Sequence, residues 1–131
     1  MTHCFETPIL YLLDPPKEEL ALPTAKTITE GDLLKLTYRT VANPATTFTW
    51  KKEGQSLPPG YVEVDSKLPA TTIFDILQQS NISIATAKRE RAGNYSVEAC
   101  NKLGCVNSAL QLIIQCEWLS LYYVNLPPNH Q

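Results

Sequence analysis

Four cysteines, Cys4, Cys100, Cys105 and Cys116, carry the most distinctive chemistry in this sequence. Cys100 and Cys105 bracket Asn101-Lys102-Leu103-Gly104, which reads as a hairpin turn. They should therefore face each other across two strands, with Cβ atoms about 4.5 to 5.5 Å apart. That separation is near disulfide range but slightly wide, so a bridge would need some backbone adjustment. Two readings stay open: a bridge, suited to an oxidising compartment, or two thiols, suited to the cytosol. Closing so short a loop stabilises a domain by only about 2 kcal/mol on the chain-entropy estimate, so a bridge would serve mainly to fix the hairpin. Cys4 and Cys116 lie outside the regularly patterned region. Zinc finds no support, because there is no second close cysteine pair and His3 and His130 sit at opposite ends of the chain.

The other polar groupings each have a plain surface reading beside a chemical one. Two N-x-S/T sequons occur, Asn81-Ile82-Ser83 and Asn94-Tyr95-Ser96. Asn81 points away from the inward Ile82 and Asn94 sits on a turn, so both are glycosylation candidates. A chain with this content of asparagine and hydroxyl residues carries about one sequon by chance. Glu63 and Asp65 share a strand face, but two carboxylates without a loop of oxygen ligands make polar surface rather than a calcium site. Lys88-Arg89-Glu90-Arg91 offers cations for a heparin-like polyanion. The interrupting Glu90 favours a solvated corner. No nucleophile lies in a recognisable elbow, no glycine-rich phosphate loop occurs and both histidines are terminal, so neither an enzyme nor a cofactor is expected.

The chain has 131 residues, enough for one domain with extensions. A net charge of −2 gives no footprint for nucleic acid or for an acidic membrane. Ten prolines against five glycines suggest strands joined by rigid turns. No apolar run reaches the roughly 20 residues of a spanning helix, so no membrane insertion is expected. No basic leader followed by an apolar stretch and a cleavage site is evident. We therefore expect a secreted or anchored parent to be longer than this chain.

Period-two patterning locates the strands that position these groups. Met1 to Glu19 contains the apolar patch Ile9 to Leu13 and then Asp14-Pro15-Pro16, and reads as a leader or linker. Leu20 to Ile28 reads as a split first strand, broken at Pro23 as an edge strand tolerates. Leu34, Leu36 and Tyr38 alternate with Lys35, Thr37 and Arg39, and Phe48 and Trp50 alternate with Thr47, Thr49 and Lys51. Tyr61 to Asp65 and Thr71 to Leu77 read as two short strands, with Lys67-Leu68-Pro69 between them. Ile82 and Ile84 form a buried pair before a charged corner. Gly93 supplies a turn, and Tyr95, Val97 and Ala99 form the next alternating set. Cys105 to Ile114 closes the series, and 116–131 reads as a tail or a linker to a following module.

Together, the Glu30-Gly31 turn, the Leu34 to Tyr38 alternation, Trp50, the Ile82/Ile84 pair, Gly93 with Tyr95 and the hairpin turn resemble an intermediate-set (I-set) immunoglobulin domain over residues 20–115. The resemblance implies an all-β, two-sheet sandwich with Greek-key topology. It also implies a tyrosine corner at Tyr95 whose hydroxyl bonds back to the upstream backbone. Fibronectin type III, the nearest rival sandwich, lacks the Trp50, Gly93 and Tyr95 arrangement.

Against the family pattern, Tyr38 and Val97 stand where the two core cysteines are expected, so the usual bridge between the sheets cannot form. Such a bridge contributes about 2 to 4 kcal/mol. A buried Tyr38 needs a partner for its hydroxyl, and Arg91 replaces the usual acidic residue before the corner. The resemblance implies a non-enzymatic module that binds a protein, a second copy of itself included, through a sheet face or the Cys100 to Cys105 hairpin. Two settings follow. One is an extracellular adhesion molecule or receptor ectodomain, favoured by the cysteine pair and the sequons. The other is a cytoplasmic structural module like those of titin, favoured by the missing core bridge.

Overall fold

The computed structural model describes residues 13–69 and 75–116. Among the described residues nine strands form two sheets: β1 (Asp14–Leu20), β2 (Ala25–Thr29), β3 (Leu34–Asn43), β4 (Thr47–Lys52), β5 (Gln55–Ser56), β6 (Val62–Leu68), β7 (Ile76–Ile84), β8 (Gly93–Asn101) and β9 (Gly104–Gln115). A 3-10 turn, Arg89–Arg91, joins β7 to β8. One sheet has the order β1-β3-β7-β6 and the other β2-β9-β8-β4-β5, with β2 parallel to β9. This is the all-β immunoglobulin-like sandwich.

Alternation explains the core. In β3 the inward residues Leu34, Leu36, Tyr38, Thr40 and Ala42 are all buried, and the intervening positions are not. Across β8 the same holds for Tyr95, Val97 and Ala99. The inner layer is completed by Trp50 from β4, Ile82 from β7, and Leu110 and Leu112 from β9. Ile84 is half-buried and packs against that layer. Tyr38 and Val97 are both fully buried, and Val97 lies opposite Trp50 in the β4–β8 register.

Two expectations from sequence need correction. The stretch read as leader enters the sandwich at Asp14, where β1 pairs with β3. Its prolines are accommodated because β1 is an edge strand and the register shifts between Asp14 and Lys17, so no ladder N–H is demanded of them. The break read at Pro23 is a split between sheets, β1 ending at Leu20 on one and β2 beginning at Ala25 on the other. Finally, β6 runs on through Lys67 and Leu68, and β7 is one continuous nine-residue strand from Ile76 to Ile84. The earlier part of the Thr71 to Leu77 strand lies outside the described residues, as do 1–12 and 117–131.

Buried hydroxyls and amides are satisfied in pairs. Tyr38 donates to Glu18 of β1 at 2.8 Å, so the partner its hydroxyl requires comes from the stretch read as leader. Burial first, then the hydrogen bond to Glu18 and that residue's negative charge, holds the Tyr38 hydroxyl far above the usual phenol range. Trp50 Nε1 donates to Ser80 Oγ at 2.8 Å, and Ser80 Oγ donates in turn to Asp65 Oδ1 at 2.5 Å. Among the described residues no buried side-chain nitrogen or oxygen lacks a partner.

Candidate recognition surface

The chemistry singled out in the sequence falls on three separate parts of the sandwich. At the β8–β9 hairpin, Cys100 lies opposite Cys105 and Asn101 opposite Gly104, which leaves Lys102 and Leu103 as a two-residue tip. The paired stretch is therefore longer than a four-residue turn would give. Cys100 and Cys105 are joined by a disulfide with a Cα–Cα distance of 4.1 Å, closer than the average pair, as the adjustment anticipated above requires. Asn101 fastens the same hairpin from its other side. Its Nδ2 donates to Asp14 O at 2.9 Å and to Pro44 O at 3.0 Å, and its Oδ1 accepts from the Leu103 N–H at 2.9 Å. Staple and amide together hold the tip, with Leu103 exposed, at a fixed height above the sheet.

The hairpin continues into the outer face of the five-stranded sheet. By alternation that face carries Thr47, Thr49 and Lys51 from β4, Ser96 and Glu98 from β8, and Asn107 and Ala109 from β9. These side chains are short or polar and form a shallow depression rather than an enclosed cavity, which suits contact with a protein surface better than capture of a small molecule. Among the described residues Glu98 is an acidic group beside the disulfide. Its carboxylate and the two cysteine sulfurs lie within 4.8 Å of one another, but bridged sulfurs are not thiolates and cannot ligate a metal as such. Cys116 is unbridged and half-buried at the end of the described chain, and Cys4 lies outside the described residues.

The charged corner is a supported turn. Arg91 Nη1 donates to Pro59 O at 3.1 Å, and its guanidinium lies 4.9 Å from the centre of the Tyr61 ring. In place of the acidic residue usual at this position, the corner is thus held by a cation over an aromatic face. Arg89 pairs loosely with Glu30 at 3.6 Å. The Tyr95 hydroxyl donates to Arg91 O at 2.5 Å and also meets the Tyr61 hydroxyl, which is the upstream backbone contact the resemblance implies. Gly93 takes φ +142°, and a Cβ there would collide with the Glu53 carboxylate, which accepts from the Asn94 N–H at 2.7 Å. Glycine at this position therefore serves both backbone conformation and close approach.

The third part is the edge strand β6, where Glu63 and Asp65 share a face. Asp65 already accepts from Ser80. Partial burial, the negative charge of Asp65 and a hydrogen bond shared with it, in that order, raise the Glu63 carboxyl above its usual range. A raised carboxyl binds more protons in the folded state, so it stabilises at pH below the carboxylate range and this gain is lost as pH rises through the folded value. Glu63→Gln is therefore expected to be slightly more stable than the parent at neutral pH and to lose that advantage below the carboxylate range. For so exposed a site the gain should be about 0.2 to 1 kcal/mol, read from urea unfolding at several pH values. An unchanged pH profile would show that the two carboxyls do not interact.

Comparison with known proteins decides the family. The immunoglobulin I-set domain model matches residues 20–114. The chain belongs to the immunoglobulin I-set family. It is 29% identical over 107 residues to "Protein sidekick-1" from Gallus gallus, a match that covers 82% of this chain and 4% of that protein. It is 28% identical over 92 residues to "Vascular endothelial growth factor receptor 2" from Rattus norvegicus, covering 69% of this chain and 6% of the relative. The I-set chain thus spans only a small fraction of the length of these relatives. Among solved structures it is similar to the titin M3 domain, with TM-score 0.60 and 24% identity over 78% of this chain and 98% of that one. It is likewise similar to the titin Z1Z2 domains in complex with telethonin, with TM-score 0.63 and 18% identity over 80% of this chain and 50% of that one. At such identities the structural likeness speaks to fold alone.

Sequence reasoning missed Glu18, Thr46, Asp65 as an acceptor, Gln78 and Ser80. Glu18 sits in a run without apolar alternation. Gln78 and Ser80 belong to the stretch Gln78-Gln79-Ser80-Asn81, where inward and outward positions are equally polar and the period-two signal disappears.

Proposed function

We propose that this I-set domain is a non-enzymatic protein-recognition module of an extracellular adhesion molecule or receptor ectodomain. Its contact surface is the stapled β8–β9 hairpin together with the adjoining outer face of the five-stranded sheet. The observation that carries this reading is the Cys100–Cys105 bridge beside an exposed Leu103. A disulfide on a sheet surface persists in oxidising compartments and is reduced in the cytosol. Likeness to a protein named as a growth factor receptor adds support. The partner is a protein, a second copy of this module included, since the face offers no enclosed pocket and the net charge is near zero.

A cytoplasmic structural role like that of titin domains is the second reading. It is favoured by Tyr38 and Val97, which fill the core where an inter-sheet bridge would otherwise lie. Intact mass after thiol alkylation, with and without prior reduction, on protein made through a secretory pathway separates the two. Protection of Cys100 and Cys105 until reductant is added is the expected result. Alkylation of all four cysteines in folded, unreduced protein would overturn the extracellular reading in favour of the cytoplasmic one.

A further inference from the structure

We propose that Asn81 carries an N-linked glycan, and that this sugar covers an apolar patch on the outer face of the four-stranded sheet. The proposal rests on the extracellular reading above. Its first observation is an inversion in β6. A half-buried edge strand normally turns its apolar residues inward and its charges to solvent. Here Glu63 and Asp65 lie on the inner side, opposite the buried Ile82 and Ser80, while Val62 and Val64 point out. They are 58% and 52% exposed.

The second observation is independent of the first. The β6–β7 register sets Val64 directly opposite Asn81 and Val62 directly opposite Ser83. The two residues that define the sequon are therefore the cross-strand neighbours of the two outward valines. β7 lies between β3 and β6, so Asn81 stands within the face rather than at its rim. Asn81 Oδ1 accepts a hydrogen bond from Thr37 Oγ1 of β3 at 2.7 Å. Because the carbonyl and amino arms of a planar amide diverge, Nδ2 is directed away from Thr37. Nδ2 is the atom that takes the sugar. In the transfer it loses one proton and bonds to the anomeric carbon of a lipid-linked oligosaccharide, and the lipid diphosphate departs with the electron pair of the broken bond.

A sugar ring presents C–H groups on one face and hydroxyls around its edge. Laid over Val62 and Val64, it removes valine surface from water while its hydroxyls stay hydrated. Masking this sheet also leaves the five-stranded face and the stapled hairpin as the surface open to a partner. The other sequon is set differently: Asn94 lies opposite Gln111 on the five-stranded sheet, diagonal to one exposed Ile113 and opposite no outward apolar pair.

The test uses the whole chain made through a eukaryotic secretory pathway, with intact mass measured before and after peptide N-glycosidase. Glycan mass is expected on the parent and on Asn94→Gln, and should be lost in both Asn81→Gln and Ser83→Ala. Ser83→Ala leaves the Asn81 side chain in place, so it guards against misfolding of the first variant. Enzymatic removal under native conditions should then raise the fluorescence of a hydrophobic dye without changing circular dichroism, and Val62→Thr/Val64→Thr should abolish that rise. A secreted protein with its Cys100–Cys105 bridge formed but Asn81 bare would overturn the proposal while leaving the extracellular reading intact. So would a glycan whose removal leaves dye binding unchanged. Protein that passes the pathway with Cys100 and Cys105 unbridged would overturn both. If the bare, bridged protein self-associates through Val62 and Val64, the patch is a contact between copies and the glycan assignment is wrong.

Discussion

Replacing Trp50 by alanine is expected to cost about 3 to 5 kcal/mol, the usual range for removing a buried tryptophan. Domains of this size have total stabilities of about 5 to 15 kcal/mol, so the variant should be largely or marginally unfolded at 37 °C. Trp50 is only 4% exposed and lies among Tyr38, Ile82, Val97 and Leu110, where both sheets contribute to one layer. The substitution also removes the donor that Trp50 Nε1 supplies to the buried Ser80 Oγ at 2.8 Å. Trp50→Phe separates the two effects, because it keeps most of the apolar volume and loses the N–H. It should cost less than the alanine variant, with about 0.5 to 1.5 kcal/mol arising from the lost hydrogen bond, since Ser80 Oγ still donates to Asp65. Urea unfolding followed by circular dichroism checks both. A loss below about 1 kcal/mol for Trp50→Ala would mean that the packing between the sheets is not what holds this domain together.

How far the molecule could be read from its sequence follows from where apolar alternation survives. Leu34-Lys35-Leu36-Thr37-Tyr38 and Tyr95-Ser96-Val97-Glu98-Ala99 each announce an inward face, and both faces are where the alternation places them. Trp50 and Gly93 were legible because few positions in a sandwich require a large aromatic on a central strand or a glycine at a corner. β1 was not, since Asp14 to Glu19 has no period and two prolines. What holds it is backbone pairing to β3 and long-range contacts from Glu18 to Tyr38, Glu19 to Arg39 and Asn101 to the Asp14 carbonyl, none of which leaves a local pattern. The outward valines of β6 were hidden for the opposite reason. Val62-Glu63-Val64-Asp65 alternates well, but alternation alone gives two faces without saying which is inside, and here the carboxylates took the inner one.

The candidate surface was legible to a similar degree. Register across a short turn is enough to oppose Cys100 and Cys105, whereas the contribution of Asn101 needed the fold. Its amide reaches Asp14 and Pro44, residues 87 and 57 positions away in sequence. The resulting division of labour is physical: the disulfide fixes the two strands of the hairpin relative to each other, and Asn101 fixes the hairpin relative to β1 and the loop after β3.

The largest effect expected from a residue that gave no signal in the sequence is at Gln78. This side chain, 8% exposed, serves the backbone of the loop that joins β3 to β4. Its Oε1 accepts from Thr46 N at 2.6 Å and from Thr46 Oγ1 at 3.0 Å, and its Nε2 donates to Thr46 O at 3.2 Å. Thr46 Oγ1 lies 3.1 Å from Thr40 Oγ1, which extends the network into β3. Gln78→Ala leaves a buried N–H and a buried carbonyl without their partner, at about 1 to 3 kcal/mol for each group that water cannot reach. A net loss of about 2 to 4 kcal/mol is therefore expected, together with faster amide exchange at Thr46. Gln78→Glu gives a sharper test. The acceptor for Thr46 N is kept, but at neutral pH a carboxylate oxygen faces Thr46 O where an N–H stood. Burial and that contact raise the folded pKa of the introduced carboxyl, so its protonated form is the one that fits. Stability of this variant relative to the parent should be highest below the carboxylate range, where the protonated acid donates to Thr46 O, and should fall as pH rises through the raised value. An alanine variant within about 0.5 kcal/mol of the parent, or a glutamate variant whose relative stability is flat with pH, would mean that Gln78 does not hold the loop.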